Sequence, residues 1–298
     1  MTSALNPFGK LGIWLSRNLP QGERDSVAQA AESLGYETIW LAGGAAVGVF
    51  DEVCEVLSVT STVKIGTSIA NMWAESPADA TAAFHALEAD YPGRFYLGVG
   101  PSHAPLVAKN QLGTWEKPLA KSRSYLDAMD ALPDPVPADR RVLSALVPLA
   151  LRLAGVRTLG SIPYLVPVAH TASARDRLGD AALLAPELAV VLEPDLDQAR
   201  ARAREFLGGY LGYPNYTSTF LRSGFSESDL ENGGSDRLVG ALFGLGTVEA
   251  IDEALLAANR TKKVIGAELE VLITRTVNRW MQRRYRRSPV ITSVVVDA

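Results

Sequence analysis

Short runs of apolar and β-branched residues recur along the chain, and the stretches between them repeat their apolar positions at helical spacing. Runs at Leu11 to Leu15, Thr38 to Ala42, Val63 to Ala70, Arg94 to Gly100, Arg141 to Leu146, Ser161 to Val166, Glu187 to Leu192 and Val290 to Val296 predict eight strands. LAVVL, apolar at every position, suits a strand covered on both faces. Among the intervening stretches, Glu23 to Leu34 places Val27, Ala30, Ala31 and Leu34 on one helical face, with Gly35 where a helix should stop. Pro77 to Asp90 opens on Ser76 as an N-cap and turns Ala80, Ala83, Phe84 and Leu87 inward. Asp195 to Leu211 does the same with Leu196, Ala199, Ala203, Phe206 and Leu207.

Strands alternating with helices imply parallel pairing, because a parallel connection needs a dozen or more residues of crossover. Eight such units in 298 residues match the scale of a (β/α)8 TIM barrel. The competing open, doubly wound sheet would carry a glycine fingerprint after its first strand, and LGIWLSRNLPQG has none. The chain therefore reads as one barrel domain, 1–298. Two stretches break the rhythm. Gly212 to Gly246, too long for a simple connection and too polar for core, reads as an insertion. Pro133 to Pro137 (PDPVP) reads as a stiff connector.

Composition narrows the class. With 47% hydrophobic and 21% charged residues, the chain can bury a core without staples, which excludes disorder and small disulfide scaffolds. A single cysteine, Cys54, cannot form an internal disulfide. The start MTSALNPFGKLGIW lacks a basic segment followed by an apolar one, and no apolar run reaches membrane-spanning length. A cytoplasmic protein without a membrane span is expected. The formal net charge is -4, yet six arginines and no acid lie between Arg275 and Arg287. That segment reads either as a solvated helix face or as a contact for phosphate or an anionic membrane surface. Nucleic acid is not the expected partner.

In a barrel, catalytic groups belong at the C-terminal strand ends. That rule selects Ala70-Asn71-Met72-Trp73 after the third strand, Gly98 to His103 after the fourth, and Pro163-Tyr164 after the sixth. Small residues let a backbone approach a flat ligand, and Asn71, Ser102, His103 and Tyr164 offer polar contacts. His103 follows a Gly-x-Gly strand end, where an imidazole suits a general acid near neutral pH; the alternative is a surface-loop histidine. His85 and His170 fall in helical patterns and read as structural. Trp14, Trp40 and Trp73 sit at or just past strand ends, where indoles either wall a planar ligand or fill the top layer of the barrel. No HExxH pair, P-loop or G-x-S-x-G elbow occurs, so neither metal, nucleotide nor serine-hydrolase chemistry is expected. Glu75 and Glu193 are the nearest to a glycosidase pair; Glu193 belongs with a turn and Glu75 equally with a helix start.

The segments LGIWLS, AESLGYETIWLA, VKIGTSIANMWAESP, YPGRFYLGVGPSHAPLV, KPLAKSRSYLDAMD, IPYLVPVAHTASAR, LLAPELAVVLEPD and YLGYPNYTSTFLRSGFSESDLENGGSDRLV, in this order over residues 8–255, resemble the luciferase-like monooxygenase superfamily. Within it, the sequence looks like the actinobacterial branch of coenzyme F420-dependent oxidoreductases. The resemblance implies a (β/α)8 barrel with an insertion and a deazaflavin at its C-terminal mouth. It implies hydride transfer between the deazaflavin and a small organic substrate, with FMN as the alternative cofactor, and pairing into a homodimer. A bulge after the third strand, often with a non-proline cis peptide, would support the ring, and Ala70-Asn71 matches that position. By the same carry-over, Gly100, Ser102 and His103 border ring or substrate, and Pro163 and Tyr164 form the sixth-strand rim.

Departures accompany the likeness. Val147-Pro148-Leu149-Ala150 replaces a Gly-Pro-Lys-Met-like turn, Ile162 replaces a histidine before Pro-Tyr, and Ala42-Gly43-Gly44 stands where an acidic residue is common. The usual Gly-Ala-Asp-His-type last strand is not recognisable, so 260–298 reads as a divergent segment in which Val290 to Val296 either closes the barrel or lies outside it. These losses motivate a second class of reading, a non-catalytic relative.

Overall fold

The computed structural model describes residues 7–9, 11–43, 48–259 and 291–296, which fold as an α/β protein in two compact units. The first comprises 1–162 with 177–183, and the second 163–176 with 184–298.

In chain order the first unit holds β1 (Leu11–Leu15), α1 (Gln21–Ser33), β2 (Thr38–Leu41), α2 (Val49–Ser58), β3 (Lys64–Thr67), β4 (Ala70–Asn71), α3 (Pro77–Asp90), β5 (Phe95–Gly100), α4 (Ala104–Lys109), α5 (Pro118–Asp130), β6 (Arg141–Leu143), α6 (Pro148–Arg157) and β7 (Gly160–Ser161). Its sheet runs β1-β2-β3-β5-β6-β7, parallel throughout, with β4 parallel to the end of β5. β2 and β5 are buried at every position, as strands covered on both faces should be.

The helices follow their apolar stripes. α1 buries Val27 and Ala31, ends at Leu34 and turns through Gly35 at φ 90, where the Tyr36 N–H reaches back to the Ala31 carbonyl at 3.1 Å. Its buried face also includes Arg24, whose guanidinium pairs with Glu55; the apolar period alone could not reveal that position. α3 opens as its sequence predicts, with the Ser76 hydroxyl accepting the Asp79 N–H at 3.1 Å and Pro77 in the first turn.

Several strands are shorter than their apolar runs. Val63 to Ala70 breaks after Thr67 and resumes as β4. Arg141 to Leu146 stops at Leu143, and of Ser161 to Val166 only Ser161 falls in a strand, the two-residue β7, because Pro163 has no N–H to donate and Leu165 adopts a left-handed φ of 52.

α7 (Val168–Leu178) and β8 (Leu183–Leu184) lead into the second unit's β9 (Glu187–Leu192), α8 (Leu196–Gly208), α9 (Pro214–Arg222), α10 (Asp236–Leu242), β10 (Phe243–Gly246), α11 (Val248–Asn259) and β11 (Ile291–Val296). β9 is paired along both edges, parallel with β10 and antiparallel with β11. Two expectations are corrected here. The stretch Gly212 to Gly246 is not wholly an insertion: it carries α9 and α10 and ends in a sheet strand, β10, whose two glycines hid it from an apolar-run search. The last strand joins the sheet, with Ile291 opposite Val191 and Val295 opposite Glu187, but it runs against the parallel direction. The Arg275 to Arg287 segment lies outside the described residues. No helix among the described residues is long and apolar enough to cross a membrane.

Candidate functional site

Parallel pairing brings the C-terminal ends of β1, β2, β3, β5 and β6 to one edge of the first unit, and hydrogen bonds continue past the strands. The Ala42 N–H donates to the Leu15 carbonyl at 2.9 Å, Ser68 to Leu41 at 2.7 Å, Met72 to Gly100 at 3.0 Å and Ser144 to Val99 at 2.9 Å. The non-proline cis peptide is Ser68–Ile69, two residues before the Ala70–Asn71 step that the family likeness matched to it. Ala70 and Asn71 instead pair with Val99 and Gly100 as a short parallel strand.

Asn71 is the most telling polar residue at this edge. It is 1% exposed. Its Oδ1 accepts the Trp73 N–H at 3.0 Å, which fixes the amide plane, while its Nδ2 has no acceptor among the described residues. Buried donors are nearly always paired, so this orphan at a strand end leaves a donor that the acceptor of a bound group would satisfy. Trp73 itself is pinned, its indole N–H donating to the Pro101 carbonyl at 2.8 Å. Next comes Ser102, half-buried with φ 55, and then His103, half-buried and at the N-cap position of α4, although its side chain makes no capping bond.

Other expected contacts have internal partners. Trp40, 1% exposed, packs its indole against Gly66 and lies 4.8 Å from the Phe8 ring; it fills the core layer rather than walling a ligand. A Cβ on Gly100 would meet Ile69 and Ser144 side chains, and one on Gly98 would collide with the Thr67 carbonyl. These glycines admit neighbouring protein. A side chain on Gly43 would run into the Ile69 carbonyl oxygen, so no acidic residue fits at this position of the Ala42-Gly43-Gly44 turn.

A charged lattice surrounds this edge, and its pairings leave little trace in the apolar pattern. Arg17 donates to the Gly43 carbonyl at 2.8 Å and pairs with Glu52 at 2.8 Å. Glu75 accepts the Gly48 N–H at 2.8 Å, so it serves the start of α2 rather than of α3. The only available signal was an acid near each helix start.

Pro163 and Tyr164 fall in the second unit. There the Tyr164 hydroxyl lies 3.1 Å from that of Tyr210, and Tyr216 packs edge-on to both rings. Burial, reinforced by the negative charge of Glu187 and by Tyr210, pushes the Tyr164 phenol well above its ordinary range, so it is a neutral hydrogen-bonding group. Glu187 is itself buried and accepts the Leu165 N–H at 3.0 Å. His85 is structural, its Nε2 3.0 Å from the Asp134 carbonyl oxygen.

Comparison with known proteins gives this edge its context. A family model for luciferase-like monooxygenases matches residues 23–261. A Mycobacterium tuberculosis protein provisionally named as a coenzyme F420-dependent oxidoreductase is 31% identical over 162 residues, 54% of this chain and 45% of that protein. The match thus covers under half of that relative's length. Among solved structures, the coenzyme F420-dependent tetrahydromethanopterin reductase of Methanopyrus kandleri aligns at TM-score 0.64 and 14% identity, over 91% of this chain and 97% of the other. The oxygenating constituent of 3,6-diketocamphane monooxygenase from Pseudomonas putida, bound to FMN, aligns at 0.60 and 13% identity, over 84% and 89%. These likenesses establish a luciferase-like α/β barrel fold. With the family model spanning most of its length as well, the chain belongs to the luciferase-like monooxygenase family of enzymes.

Proposed function

We propose that this protein is a coenzyme F420-dependent oxidoreductase that moves a hydride between the reduced deazaflavin and a small organic substrate. The orphan Nδ2 of Asn71 is the observation that carries the reading. An unpaired buried donor costs about 1–3 kcal/mol, and an acceptor atom on the edge of a bound heterocycle removes that cost. Ser102, a half-buried residue whose hydroxyl makes no bond within the described residues, adds a second polar contact at the same edge. This donor set fits a flat conjugated ring with carbonyl and nitrogen acceptors.

When bound, the deazaflavin supplies the hydride from its C5. The chain's own residues bind and orient. Asn71 holds the ring edge, with its amide locked by Trp73. The pairing of β4 with β5 fixes Asn71 relative to Ser102 and His103. His103 holds or delivers the proton that accompanies hydride transfer at the substrate. Trp40 and Gly100 act behind this surface as packing.

The relative named for F420 supports deazaflavin over flavin, while the FMN-bound monooxygenase of the same fold favours the alternative. Fluorescence titration of the purified protein with F420 and with FMN decides between them. Binding of F420 at micromolar concentration or below is expected. Tight FMN binding with none to F420 replaces the proposal with the flavin reading, and a folded protein that takes neither is a non-catalytic relative.

A further inference from the structure

The loop between α4 and α5 carries Trp115 back onto Trp73, the two indoles stacking with centroids 5.4 Å apart and planes 22° apart. Lys121, in the first turns of α5, holds its Nζ 4.3 Å from the centre of the Trp73 ring. All three side chains are half-buried. Trp73 is the rigid member, tied by its backbone to Asn71 and by its indole N–H to Pro101, so the cluster is anchored to the same strand ends as the proposed redox site.

Among the described residues this charge has no counterion. No carboxylate among the described residues pairs with Lys121. The acids that act on Tyr125, one turn further along α5, are Glu75 and Asp79; the first accepts the Gly48 N–H and the second the Ser76 hydroxyl. Glu116, beside Trp115, is exposed. Lys121 is a half-buried residue whose ammonium rests over an indole, and no carboxylate among the described residues is paired with it. Flat apolar surface beside such a cation is the chemistry that recognises a planar anion.

We propose that Trp73, Trp115 and Lys121 form a recognition subsite for a planar organic carboxylate, aromatic or conjugated, beside the strand ends. The assignment of this ligand as substrate rests on the redox reading; the subsite itself does not. The indoles supply stacking area, and the ammonium discriminates carboxylate from neutral isostere.

The test is ligand-observed NMR titration of the full chain, without cofactor, using 2-naphthoate and its neutral counterpart 2-naphthamide. Naphthoate should bind at least tenfold more tightly. Lys121→Met, which keeps the aliphatic stem, should abolish that preference, and Trp115→Leu should weaken both ligands. Lys121→Gln provides the same comparison should the first variant fold poorly. Equal affinities, a preference that survives loss of the ammonium, or no binding by either probe would overturn the subsite. F420 and FMN titrations of Lys121→Met separate the two proposals. Unchanged cofactor affinity is expected. Lost cofactor affinity with naphthoate preference intact would reassign Lys121 to the cofactor and end the subsite, while the redox reading stands. A naphthoate preference in a protein that binds neither cofactor would retain the subsite and sink the redox reading.

Discussion

Asn71 invites a test in which stability and binding separate. Its Oδ1–Trp73 bond stabilises, whereas its unpaired Nδ2 destabilises. Asn71→Leu keeps the volume and removes both, so the two terms oppose each other, and thermal unfolding should move by no more than a few degrees. Cofactor affinity should fall about tenfold or more, about 1.4 kcal/mol. A large loss of stability with unchanged affinity would mark Asn71 as purely structural. Gly43 offers the opposite case. A Cβ there meets the Ile69 carbonyl oxygen, and backbone cannot step aside cheaply, so Gly43→Ala should cost about 2–3 kcal/mol in denaturant unfolding. Gly22→Ala, with open space around it in the first turn of α1, is the control and should be neutral or stabilising by up to about 1 kcal/mol. Sequence could nominate Asn71, Ser102 and His103 because strand-end position depends only on where a run stops. It set Trp73 just beyond its strand and Trp40 within one, but left Trp40 either walling a ligand or filling the core; the space beside Gly66 shows that it fills the core.

Among the elements, legibility tracked how fully the side chains, rather than the backbone, determine the state. β1 (LGIWL) and β9 (ELAVVL) have the bounds that their runs predict, because bulky apolar side chains fill most of their positions and no proline interrupts. β10, FGLG, offers two side chains in four positions and was missed. Loop anchoring by a single carboxylate was equally invisible. Glu32, near the end of α1, accepts the N–H groups of Ser61, Thr62 and Val63 at 2.6–3.0 Å, along with the Thr62 hydroxyl at 3.0 Å. Burial raises its carboxyl, but these donors outweigh burial and leave it below the ordinary 4.5. A folded-state pKa below the unfolded one means that the unfolded chain binds the proton first. The stability contributed by Glu32 is therefore complete above about pH 4.5 and drains away as the pH falls through the lower, folded value. Comparing unfolding midpoints of the parent and Glu32→Gln from pH 7 down to pH 3 should show a gap that is widest at neutral pH and closes in acid. A constant gap would remove the carboxylate from the account.

At the scale of the whole molecule, the feature that sequence could detect but not orient is the final strand. The run Val290 to Val296 announces a strand by its β-branched content, yet β propensity carries no direction, and thirty-one residues outside the described set separate α11 from β11. An all-parallel barrel was the expectation; antiparallel pairing with β9 is the arrangement found. The pairing has a consequence beyond topology. β9 would otherwise present an unpaired row of N–H and C=O groups along that edge, and such edges template aggregation. Hydrogen exchange should accordingly show slow amides along Ile291–Val296 and across from them in Leu188–Val191. Ser293→Pro, which deletes one N–H from the middle of the ladder, should speed exchange in β9 as well as in β11 and raise the tendency to aggregate. Uniformly fast exchange over 291–296 in the parent chain would show that β9 is guarded by something else. Exchange that is slow in β11 but indifferent to Ser293→Pro in β9 would show that the strand pairs elsewhere.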